Sequence, residues 1–167
     1  MATIPITTNL PFAAKRVSQG DDRHADLYAV IATLCGKQIS EIRSQAEALG
    51  IPKFGPYYQH LVDGDLLAKL VVHFGWVATI WKDTDKGFSA LPELAIVGVD
   101  ADLDYEVSRY VLFHRAKTGT DGKTVVPYVV DTYPHADSKL HVRTDLTGLT
   151  ASWYLGLHPH AQKPTAK

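Results

Sequence analysis

The apolar residues of this chain change their spacing at Gly75. Upstream they recur every three or four positions; downstream they alternate or run on unbroken. A chain that separates its helical and extended halves in this way folds as an α+β domain, with helices laid on an antiparallel sheet. Its 167 residues suit one domain and suffice to bury most of the apolar surface.

In the helical half, Leu27, Val30, Ile31, Leu34 and Cys35 form the stripe of a helix over about Ala25 to Cys35. Asp21 and Asp22 stand where carboxylates cap a helix start, and Gly36 where a helix stops. A second helix is expected from Ile39 to Leu49, with Ile39, Ile42, Ala46 and Leu49 on one side. A third, Asp63 to Phe74, carries Leu66, Leu67, Leu70, Val71 and Phe74, with Asp63 or Asp65 as its cap. The Pro- and Gly-containing segment IPKFGPYYQH before it reads as a loop anchored by Tyr57 and Tyr58.

In the extended half, WVATIWK (76–82) is rich in β-branched and aromatic residues. LAIVGV (94–99) is a continuous apolar run, expected of a strand covered on both faces. VSRYVLFH (107–114) and TVVPYVVD (124–131) flank TGTDGK, whose Asp121-Gly122 pair signals a hairpin. Pro127 cannot donate to a ladder and belongs at an edge or a bulge. KLHVRT (139–144) and TASWYLGL (150–157) are expected to be two further strands. Residues 1–18 read as an extended arm interrupted by Pro5 and Pro11, 19–157 as one domain, and 158–167 as a flexible tail.

The formal net charge is -1 without a long run of like charge, so nothing marks a nucleic-acid surface. One cysteine rules out an intramolecular disulfide framework and fits a reducing compartment. MATIPITTNLPFAAKR lacks the apolar core of a secretory signal. No apolar run approaches the roughly 20 residues that span a bilayer. A cytoplasmic protein without membrane insertion is expected.

The order and local sequences resemble the papain-like cysteine peptidase superfamily, and within it the double-glycine leader peptidases that process bacteriocin precursors. Gln19 sits where that family carries its oxyanion glutamine, and LCGKQISEI matches its helix end and following helix. LAIVGV matches its buried strand, SRYVLFH the strand that opens with histidine, and YVVDTYP the strand that ends in aspartate. The resemblance implies a papain-like fold, with helices packed on a C-terminal antiparallel sheet and a peptide cleft between them.

The departures fall on the chemistry. Counting back from Gly36 puts Asp26 at the nucleophile position, and counting forward from Gln19 puts Ala25 there. The histidine position falls on Arg109, or on Ser108 if the register slips. A thiol hydrolase needs a thiolate at the helix start and an imidazole that exchanges protons near neutral pH; arginine stays protonated. An Asp26–Arg109 salt bridge in the old catalytic position is therefore expected, with Gln19 and Asp131 matching the family pattern.

Each remaining candidate has a structural reading beside its functional one. Cys35 could serve as nucleophile with His114 and Asp131, but it lies on the apolar stripe at the helix C-terminus, where the dipole opposes a thiolate. His114 is expected at a strand end in water, and Asp131 either orients a catalytic group or caps a turn before Pro134. His158 and His160 form an H-x-H in the tail, and Asp21, Asp22, Asp26 and His24 are the other conceivable metal ligands. Neither set has a ligand pattern that calls for a metal, and no cofactor is expected. Trp76, Trp81, Tyr57, Tyr58 and Trp153 are core aromatics or groove walls.

The function expected from these residues is that of a pseudo-peptidase, binding a peptide or partner protein through the former active-site cleft. An active hydrolase using Cys35 or the Asp26 carboxyl is the second expectation. An assembly protein with a closed cleft is the third.

Overall fold

The computed structural model describes residues 15–56, 64–105, 107–118, 123–135 and 137–159. Among them the chain forms three α-helices, α1 (Asp26–Cys35), α2 (Ile39–Ala48) and α3 (Gly64–His73), followed by strands β1 (Trp76–Asp83), β2 (Leu94–Asp102), β3 (Val107–Thr118), β4 (Thr124–Val130), β5 (Val142–Arg143) and β6 (Ala151–Pro159). The strands make one antiparallel sheet in the order β1-β6-β2-β3-β4-β5. The segregated α+β architecture is as the spacing predicts.

Alternation along the strands divides the apolar residues between two cores. Leu94, Ile96, Tyr110, Leu112, Tyr128, Val130, Trp153 and Leu155 face the helices and pack with Leu27, Ile31, Leu67 and Leu70. Ala95, Val97, Val99, Val111, Phe113 and Val129 face the other way, under Phe88, Leu146 and Leu149. Every residue of 94–99 is buried, as expected of an unbroken apolar strand. Pro127 is exposed on β4, beyond the two residues that β5 pairs, so its missing N–H costs the sheet nothing.

Several expectations are corrected. Asp21 and Asp22 do not cap α1: its N-cap, Ala25, has no side-chain bond, and Asp22 instead accepts from the His24 amide and pairs with Arg43 at 2.6 Å. The β3 strand runs four residues past His114, which is buried in the helix-facing layer rather than held in water. KLHVRT yields only the two-residue β5, because the Asp137 side chain accepts from the Lys139 amide and bends 138–140 into a 3-10 turn. His158 and Pro159 belong to β6, paired with Val77 and Trp76, rather than to a tail. Tyr57, Tyr58, Asp63, the Asp121-Gly122 pair and His160 lie outside the described residues.

Gly98 lies under the contact between sheet and helices. It stands between Tyr110 on β3 and Trp153 on β6. A methyl group there would lie 2.6 Å from both Ser108 Oγ and Trp153 Nε1. Gly98→Ala is expected to cost about 1–3 kcal/mol by overpacking, measured by urea denaturation; an unchanged midpoint would show that the indole has room to move.

Candidate functional site

The first turn of α1 meets the start of β3 and the end of β4. Asp26 is the first residue of α1, and its Oδ2 accepts the Tyr110 backbone N–H at 2.8 Å. Arg109 Nη1 donates to Asp131 Oδ2, and its Nη2 lies 3.6 Å from Asp100 Oδ2. His135 Nε2 is 3.0 Å from the same Asp131 oxygen, and Asp131 Oδ1 accepts the Tyr133 amide at 3.0 Å. Asp131 thus both closes a turn and holds a cation.

The expected Asp26–Arg109 salt bridge does not form among the described residues, and the pleat explains why. Arg109 shares its parity with Val111 and Phe113, on the face turned from the helices; Ser108 and Tyr110 share the face turned toward them. Asp26 approaches from the helix side and meets backbone, while Arg109 turns to Asp131, which has the parity of Val129.

The environments push the two carboxyls apart. Burial raises Asp26 to about 6, against the opposing pull of the Tyr110 and Leu27 amides, the Arg109 charge and its own N–H. Burial would raise Asp131 as well, but the Arg109 guanidinium, the His135 hydrogen bond and the Tyr133 amide hold it below the usual carboxylate value. A cleft of about 230 Å³ opens over this corner; Asp26, Ser108, Arg109 and Tyr110 form part of its wall, with Arg23, His24 and Tyr133 nearer the rim.

Gln19 does not line that cleft. It is buried, with its Nε2 donating to the Asp22 carbonyl at 3.1 Å and its Oε1 accepting from Thr132 Oγ1 at 3.2 Å. Its amide also donates to the Thr132 carbonyl, beside Arg16, which donates to the carbonyls of Asp131, Thr132 and Tyr133. The glutamine therefore straps the chain to the end of β4 rather than facing the cleft beside Asp26.

The alternative set of Cys35, His114 and Asp131 does not assemble. Cys35 ends α1, packs against the helix-facing core, and is pushed up to about 12 by burial despite the nearby Lys37. His114 Nδ1 is 3.0 Å from the Tyr128 hydroxyl, and burial lowers its pKa despite Glu93, favouring the neutral ring. Val130 faces Leu112 across the ladder and Tyr128 faces His114, so Asp131 lies about 10 Å along the strand from the histidine. Trp76 and Trp153 are core residues, and Trp81 packs 5.8 Å from the Tyr110 ring. Among the described residues no group of three His, Cys, Asp or Glu side chains is placed to hold a metal.

Asp100 and His135 were not singled out by the sequence. Asp100 pairs with Arg109 only because the β2–β3 hairpin folds back, and neither separation nor residue type signals that. The helix-facing parity of Ser108 and Tyr110 was legible from Leu112 in the same strand.

Compared with known proteins, the chain matches no family model, no curated sequence and no solved structure.

A folded-state pKa raised above the unfolded value adds stability at low pH that is lost as pH rises through about 6. Ionised Asp26 therefore weakens the fold at neutral pH. Asp26→Asn stays neutral and keeps an acceptor for the Tyr110 amide, so it should be more stable than the native chain at pH 7.5, with the gap closing toward pH 4. Urea titrations at the two values check this; a variant weakened more at pH 7.5 would contradict it.

Proposed function

We propose that the chain is a catalytically silent, cysteine-peptidase-like domain that binds a peptide or partner protein through the cleft at the start of α1. The observation that carries this reading is the Arg109–Asp131 ion pair, held by groups that clamp one another and move no proton. A guanidinium stays charged across the physiological range and cannot serve as general base. The thiol of Cys35 lies at the opposite end of α1 and titrates near 12, so it offers almost no thiolate at neutral pH. A cleft remains open beside Arg109, with Tyr110 and Tyr133 in its wall, side chains of the kind that bound peptides meet. The lone cysteine fits a reducing, cytoplasmic setting, and the balanced charge favours a peptide or protein ligand over nucleic acid. Among the described residues no helix is long and apolar enough to cross a membrane.

A second reading has its own observation. Asp26 faces the cleft with a carboxyl near 6, the range in which general acids and bases work. Incubation with a mixed peptide library, followed by mass spectrometry for cleavage and amide spectra for binding, separates the two. The binding reading expects no turnover and shifts centred on residues 26–28 and 108–110. Turnover abolished by Asp26→Asn would establish the carboxyl enzyme, turnover abolished by Cys35→Ala a thiol enzyme, and an unmoved spectrum a closed-cleft assembly protein.

A further inference from the structure

Resting on the binding reading, we infer that the cleft selects a cationic group, an ammonium or guanidinium of a bound peptide, and seats it on the Asp26 carboxylate. Asp26 is 7% exposed and lines the cleft, yet among the described residues no cation pairs with it. The guanidinium of Arg109 is turned to Asp131 and Asp100, so two carboxylates already share its charge. A largely buried carboxylate without a counter-ion is costly, and an incoming cation supplies what the fold withholds.

A second, independent observation lies on the same wall. Ser108, half-buried, lines the cleft; its Oγ is sealed from solvent beside Gly98 without a hydrogen-bond partner. Trp153 Nε1 on the other side of that glycine, in a residue 4% exposed, is likewise unsatisfied. The Tyr110 hydroxyl is near enough to influence both, but neither forms a bond of acceptable geometry with it. An ammonium on Asp26 has further N–H groups to give, and a turn of the Ser108 side chain would bring its unpartnered Oγ to the cleft as an acceptor. Tyr110 and Tyr133 supply aromatic wall, the surface that cations prefer among neutral side chains.

The other charged and titratable groups facing the cleft are Arg23, His24 and Arg109. Arg23 is exposed and screened by salt, and Arg109 is compensated. These cations and the N–H groups at the start of α1 would favour an anion only once Asp26 is protonated. Cation and anion binding therefore have opposite pH dependence.

The test titrates the full chain with four probes followed by amide shifts: N-acetyl-lysine N-methylamide, alanine N-methylamide, the neutral N-acetyl-norleucine N-methylamide, and the anionic N-acetyl-alanine. At least one cationic probe should bind about tenfold more tightly at pH 7.5 than at pH 5, following ionisation of Asp26, and more tightly than norleucine. Asp26→Asn should abolish both the preference and the pH dependence. The lysine and alanine probes distinguish a side-chain amine from a chain N-terminus. Should the variant not fold, the carboxyl resonance of Asp26 in the native chain gives the same answer: saturating cationic probe lowers its midpoint. Norleucine binding as tightly as lysine at these residues would overturn cation selection while leaving peptide binding intact. An anion binding more tightly as pH falls, or an unmoved Asp26 midpoint, would also overturn it. Silence from all four probes at residues 26–28 and 108–110 would count against both proposals.

Discussion

Strand β3 presents different chemistry on its two faces, and everything at the candidate site follows from that pleat. On the helix side stand Ser108 and Tyr110; on the other stands Arg109. A period of two allows no compromise, so a group arriving from α1 meets serine, tyrosine and backbone, while one arriving from the end of β4 meets arginine. Asp26 and Asp131 consequently have different partners although both belong to the same corner.

This division gives the carboxyls opposite roles. Asp131 is almost wholly buried, and Arg109, His135 and the Tyr133 amide occupy its oxygens, an arrangement that keeps it ionised and ties β4 to β3. Asp26 accepts the Tyr110 backbone N–H of β3 and has a cleft beyond but, among the described residues, no cation paired with it. Its burial leaves it poorly solvated and easily protonated. A buried carboxyl with a raised pKa on the wall of a cleft is an arrangement in which functional carboxyls are commonly found.

The architecture was legible where periodicity was strong. The stripe ending at Cys35 located α1 and the unbroken run 94–99 located β2 without tertiary information. The stripe implied one buried face, however, whereas the surrounding elements bury α1 on every side from Asp26 to Leu34. What failed depended on distant partners. KLHVRT has strand-like composition, yet the Asp137 side chain bends its start. His114 looked terminal because the strand's continuation, RAKT, is polar and gives no apolar signal, although Ala116 is buried. Within the site, Asp26, Arg109 and Asp131 are drawn to one corner as their positions in the chain implied. Two neighbours of opposite charge suggested a salt bridge, and only the parity of β3 decides against it. Gln19 was placed correctly in the chain, but its hydrogen bonds to Asp22 and Thr132 are set by the strap over β4, which local sequence does not encode.

The central claim is that the corner is clamped by Arg109 and Asp131 while Asp26 stands apart from that clamp. Two double-mutant cycles of stability at pH 7.5 address it most directly, one between Arg109 and Asp131 and the other between Arg109 and Asp26, using alanine and asparagine replacements. The account predicts a coupling of about 2 kcal/mol or more for the first pair and about 0.5 kcal/mol or less for the second. Equal couplings, or a larger one between Arg109 and Asp26, would contradict it.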